Sequence, residues 1–114
     1  MPFIQVRLSV SIDNAQKNDL QEKLSNVVSI ALSKPQAYIM SEISGDCSLY
    51  MNSKTLDSGA YISISLLGNT TKAACSDLTK KICDILSTDL GINPSQVYIT
   101  YTPMELWGWN GMMF

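Results

Sequence analysis

Pro35-Gln36-Ala37-Tyr38-Ile39 and Pro94-Ser95-Gln96-Val97-Tyr98-Ile99 are the two stretches that decide the fold. Each runs from a proline that ends a helix into a Tyr-Ile strand. Proline cannot continue a helix, and it pushes the residue before it out of helical geometry. The aromatic and β-branched residues that follow suit a pleated, half-buried strand. The spacing differs by one residue, so the chain reads as an approximate repeat.

Working outward from the first copy, residues 2–10 alternate, with Ile4, Val6, Leu8 and Val10 on one face and Gln5, Arg7 and Ser9 on the other. That period of two predicts a half-buried strand. Asp13 offers an N-cap with Gln16 three residues on, close to a capping box. Leu20, Leu24, Val27, Val28 and Ala31 follow at helical spacing, and Lys34-Pro35 ends the helix with Lys34 in its last turn. A cation there is favoured by the helix dipole alone. Residues 38–43 read as a second strand and 44–46 as a turn.

After a polar stretch, 52–59, the pattern begins again. Residues 61–67 alternate, with Ile62, Ile64 and Leu66 on one face. Gly68-Asn69-Thr70 turns into a second helix whose apolar side carries Cys75, Leu78, Ile82, Ile85 and Leu86, and Gly91 supplies its left-handed cap. Residues 97–102 form the last strand. Two β-α-β units predict an α+β fold: one four-stranded mixed sheet with two helices on one face and right-handed connections. The other face is left bare, with small polar residues such as Gln5, Ser9, Ser63 and Ser65 on it. Closing bare faces into a ring, a homotrimer, is the natural way to cover them.

The 114 residues fit a single domain, 1–114, large enough for its own core. Hydrophobic residues make up 46% and charged ones only 16%, low for a monomer and consistent with apolar surface buried between subunits. The net charge is −2 and the eight basic residues are scattered, which excludes a nucleic-acid footprint. Three cysteines without a C-x-x-C spacing and no histidine exclude a disulfide framework, a zinc site and any Ser/His or Cys/His catalytic pair. No apolar run approaches the roughly 20 residues of a membrane helix, and the start is no signal peptide. The expectation is a soluble cytoplasmic protein that does not engage membranes and whose route out of the cell, if it leaves, is leaderless.

Chemistry centres on Pro2. Proline at position two is small enough for Met1 to be cleaved, which leaves a secondary amine at the chain start. An ordinary α-amino group has a pKa of about 7.7–8.0, and an apolar, partly buried site lowers it by penalising the cation. Such an amine is partly neutral at physiological pH and can act as a general base or a nucleophile. The plainer reading is that Pro2 merely starts an edge strand.

Five motifs in order, M-P-F-I at 1–4, S-K-P-Q-A-Y-I at 33–39, S-L-L-G at 65–68, I-N-P-S-Q-V-Y-I at 92–99 and G-W-N at 108–110, make the chain resemble the macrophage migration inhibitory factor family, including the D-dopachrome tautomerases. The resemblance spans the whole chain and implies a two-fold β-α-β repeat assembled as a trimer. It implies a cofactor-independent keto–enol tautomerase acting on an aromatic α-keto acid, phenylpyruvate-like, or a dopachrome-like compound. Pro2 is then the catalytic base, Lys34 binds the carboxylate or polarises the carbonyl, and the backbone N–H of Leu67 also holds the substrate. Tyr38, Tyr98, Trp109 and Phe114 match pocket aromatics, with Tyr98 supplied by a neighbouring subunit. Trp107 and Trp109 read equally as a C-terminal clasp on that neighbour.

The departures narrow this expectation. Where vertebrate members carry a C-A-L-C motif linked to thiol–disulfide activity, Gly59-Ala60-Tyr61-Ile62 has no cysteine. The arginine of the vertebrate receptor-contacting pair corresponds to Ile12, and only the acidic partner has a counterpart, Asp46. That weighs against receptor binding and against the alternative reading, a cytokine mimic with vestigial tautomerase activity. Thr100 stands for an asparagine and Trp107 for a valine at the pocket. Arg7 is the single arginine, whereas enzymes of dicarboxylates grip them with several. The expected substrate is a monoanionic keto or enol acid held by Lys34.

Overall fold

The alternation at the chain start builds strand β1 (Pro2–Leu8), whose Ile4, Val6 and Leu8 are fully buried. A computed structural model describes residues 1–114. Helix α1 (Asn14–Leu32) opens on the expected capping box: the Asp13 carboxylate accepts the Gln16 N–H at 2.8 Å, and the Gln16 side chain accepts the Asp13 N–H at 3.0 Å. Leu20, Leu24, Val28 and Leu32 form its buried stripe, with Val27 and Ala31 packed partly buried beside it. The helix closes at Ser33, left-handed at φ 53, and the Lys34 N–H reaches back to the Ser29 carbonyl at 3.0 Å. Lys34 therefore lies just beyond the cap and not in the last turn.

Pro35 leads into one 3₁₀ turn, Gln36–Tyr38, before strand β2 (Met40–Ser44). Tyr38 sits in that turn and not in the strand expected over 38–43, because the N–H groups of Tyr38 and Ile39 close on the carbonyls of Pro35 and Gln36. The polar stretch contains a small hairpin, β3 (Tyr50–Met51) and β4 (Lys54–Thr55), around Asn52-Ser53, both at positive φ. Such a left-handed pair is what a two-residue hairpin turn requires.

Strand β5 (Ala60–Leu67), helix α2 (Lys72–Leu90) and strand β6 (Val97–Met104) repeat the first unit. Thr71 caps α2, Gly91 ends it at φ 66, and a 3₁₀ turn, Pro94–Gln96, matches the turn after Pro35. A last hairpin, β7 (Gly108–Trp109) and β8 (Met112–Met113), turns on Asn110-Gly111 at φ 52 and 73.

The main sheet runs β2-β1-β5-β6, with β1 parallel to β2, antiparallel to β5, and β5 parallel to β6. The alternating apolar residues of the strands meet the helix stripes in one core, and no polar side chain is buried in it. Tyr101 fastens β6 to α2, its hydroxyl bonded to the Thr79 hydroxyl at 2.8 Å and donated to the Cys75 carbonyl at 3.2 Å. Burial holds that phenol above its ordinary pKa.

The opposite sheet face is uncovered within the chain. Gln5, Ser63 and Ser65 are half-exposed there, and Tyr98, Thr100 and Thr102 are exposed. Ser9 does not belong to it. The strand stops at Leu8, and the Ser9 hydroxyl instead accepts the Gly59 N–H at 2.7 Å.

Candidate active site

Pro2, first residue of β1, pairs with Leu66 of β5 and is buried. It lies on the wall of a cleft of about 500 Å³ between the start of β1, the turn around Tyr38 and the C-terminal hairpin. Phe3, Ile39 and Met40 line the sheet side, and Trp107 and Trp109 the other. No charged side chain lines it. A largely apolar cavity of this size suits a small organic ligand.

Lys34 and Leu67 do not line the cleft themselves; they form a polar cluster that joins it through Met1. The Lys34 ammonium donates to the Leu67 carbonyl at 3.0 Å, and the Leu67 N–H donates to the Met1 carbonyl at 3.3 Å. Gly68 follows at φ 92, a left-handed conformation costly for a residue with a Cβ, and its N–H donates to the Met104 carbonyl at 3.0 Å. The chain's first residue, a cation and a backbone donor thus meet within one hydrogen-bonded cluster. The α-amino group of Met1 is held below its ordinary value, first by burial and then by the charge of Lys34.

The aromatic residues divide. Tyr38 meets Trp109 edge-on, with ring centroids 5.5 Å apart and planes at 82°. Phe114 packs on Trp109 in a tilted arrangement with ring centroids 6.0 Å apart, and its N–H donates to the Trp107 carbonyl at 2.8 Å. Tyr98 is elsewhere. Its register partner is Tyr61, which pairs with Arg7, whereas Pro2 pairs with Leu66. Five strand positions separate the two, about 17 Å at about 3.3 Å per residue. Within one chain Tyr98 does not reach the cleft.

Pro2, Lys34, Leu67, Tyr38, Trp109 and Phe114 are therefore brought to one end of the sheet. Phe3, Ile39 and Met40 were not among the residues singled out in the sequence. Their place follows from the pairing of Phe3 with Met40, which the pattern of a single chain does not disclose.

The sequence model of the family described as macrophage migration inhibitory factor (MIF) matches residues 1–114. The chain is 33% identical over 116 residues to the macrophage migration inhibitory factor of Rattus norvegicus, spanning 100% of this chain and 99% of that one. It is 31% identical to that of Xenopus laevis over the same shares. Among solved structures, MIF2 of Leishmania major superposes with a TM-score of 0.91 at 25% identity, over 100% of this chain and 97% of that one. With strand order, paired helices and matched length all in agreement, the chain belongs to the macrophage migration inhibitory factor family.

Proposed function

We propose that the chain acts, as a single domain over 1–114, as a cofactor-independent keto–enol tautomerase of an aromatic α-keto acid such as phenylpyruvate, or of a dopachrome-like compound. Family membership supports a tautomerase or cytokine-like function, and isomerase activity, in general terms. The finer reading rests on one observation: Pro2 is buried on the wall of an apolar cleft, beside a cluster in which the lone cation is Lys34.

In this reading Met1 is removed, and the freed Pro2 amine takes a proton from the carbon next to the substrate carbonyl and returns it to the other site. The environment that lowers the first residue's amine pKa supports a neutral, basic nitrogen there. Lys34 pairs with the carboxylate. Removal of Met1 also releases the Leu67 N–H from the Met1 carbonyl, which supplies a donor where enolate charge develops. Tyr38, Trp109 and Phe114 form a wall against water.

A homotrimer completes the proposal. The uncovered sheet face supports it, and so does the position of Tyr98, which contributes to a cleft only if that cleft belongs to a neighbouring subunit. A receptor-contacting role finds no support at Ile12, which packs against the core, or at Asp46, which accepts the Ser11 hydroxyl.

The test is the enol-to-keto rate of phenylpyruvate with Met1-free protein. Pro2→Gly is expected to lower kcat/KM at least about 100-fold, the lower range for loss of a positioned general base. An unchanged rate overturns the assignment.

A further inference from the structure

Sulfur is spread unevenly over the molecule. The three cysteines are half-buried and none lines the cleft. Burial, and then the charge of Asp84, holds the Cys83 thiol above its ordinary pKa. Oxidants attack the thiolate and not the thiol, so that sulfur is shielded. The methionines are the accessible sulfurs. Of the six, Met1 and Met40 line the cleft, and only Met40 remains there once Met1 is removed. Met40 is 69% exposed, against 67% for Met113, 55% for Met112 and 39% for Met104. It opens edge strand β2 opposite Phe3 and stands clear of the buried core. One thioether is thus both part of the apolar wall and open to any small solute that enters the cleft.

We propose that Met40 is a reversible oxidation site whose sulfoxide weakens ligand binding in the cleft, with hydrogen peroxide as the oxidant. The sulfur lone pair attacks one peroxide oxygen and the O–O bond breaks. That oxygen stays on sulfur and passes its proton to the departing one, which leaves as water. Sulfur is oxidised by two electrons and the peroxide is reduced by two. Two thiols reverse the step by becoming a disulfide, and the sulfoxide oxygen leaves as water. The oxidised side chain carries a strong S–O dipole in place of an apolar thioether. While the cleft is empty, water solvates that dipole. A ring-bearing ligand expels the water without offering a donor, so the cost falls on binding. Peroxide enters any cleft that admits such a ligand, whether or not copies of the chain cover the sheet face. The inference rests on the cleft as the ligand site proposed above.

The experiment treats Met1-free protein with hydrogen peroxide, maps sulfoxides by peptide mass spectrometry and titrates phenylacetate calorimetrically. Oxidation at Met40 is expected to weaken phenylacetate about tenfold, and methionine sulfoxide reductase with a thiol reductant to restore it. Met40→Leu, whatever its own affinity, is expected to lose nothing further on treatment. A variant carrying both Met112→Leu and Met113→Leu is expected to lose affinity as the wild type does. Three results overturn the proposal: unchanged binding with Met40 oxidised, further loss in Met40→Leu, or a Met40 that stays reduced while Met112 and Met113 oxidise. Should Met40→Leu fail to fold, partial treatments of the wild type decide. The loss must then follow the fraction of Met40 sulfoxide, and a loss that follows another methionine overturns the proposal. Untreated protein that binds no phenylacetate overturns it as well. Binding carries the test, so a protein that passes it yet turns over no phenylpyruvate fails as a tautomerase while the Met40 switch stands.

Discussion

At Pro2 the chemistry depends on what its nitrogen is bonded to. With Met1 attached it is an amide nitrogen with no proton and no basic lone pair; with Met1 gone it is a secondary amine. Burial and the Lys34 charge both disfavour the cation of the Met1 amine, and the same two causes are expected to act on the Pro2 nitrogen once Met1 is gone. Lys34→Gln removes one of the two causes. The amine pKa then rises, so the acid limb of the kcat/KM profile is expected to move to higher pH, with activity still increasing as pH rises through it. Loss of the carboxylate partner is expected to raise KM in the same variant. Steady-state rates across pH with phenylpyruvate check both outcomes, and an unmoved limb contradicts the coupling between Lys34 and the amine.

Among the elements, the two long helices and β5 were legible because each repeats its period often enough to be read. The Asp13–Gln16 box and the Gly91 cap were legible because their chemistry is local. Tyr38 was misplaced, since a strand-forming residue says nothing about a single 3₁₀ turn after proline. Lys34 was placed inside the helix although it follows the Ser33 cap, as nothing in Ser33 announces a left-handed conformation. The two small hairpins have strands of only two residues, too short to alternate. Asn110-Gly111 was still a readable signal, being a preferred pair for a tight hairpin turn. Gly111→Val, at φ 73, is expected to strain that turn by about 1–2 kcal/mol and to raise KM by loosening the cleft wall. The unfolding midpoint is expected to move little, because the hairpin lies outside the core. Tyr101→Phe is expected to do the reverse. Removing the hydroxyl that joins β6 to Thr79 and the Cys75 carbonyl costs about 1–2 kcal/mol in denaturant unfolding, with KM unchanged.

For the whole molecule, the layered fold was readable from the repeat, while Phe3, Ile39 and Met40 on the sheet side of the site were not, because their place depends on which strands become neighbours. The assembly belongs to this scale as well. A face carrying Tyr98, 66% exposed, with Thr100 and Thr102 and few charges, leaves the sheet one-sided in a single chain. Sedimentation equilibrium is expected to give three times the 12.6 kDa of one chain. Tyr98→Ala is then expected to weaken phenylacetate binding although Tyr98 lies far from its own subunit's Pro2. A monomer that binds phenylacetate equally well with and without the Tyr98 ring contradicts the shared site.

The central claim, that a freed Pro2 amine is the base, is tested most directly by a ¹⁵N chemical-shift titration of Pro2 in Met1-free protein, set beside the acid limb of kcat/KM. A single titration is expected, below the ordinary α-amino range of about 7.7–8.0 and coincident with the limb. A Pro2 nitrogen that titrates in the ordinary range, or an acid limb that does not follow it, contradicts the account.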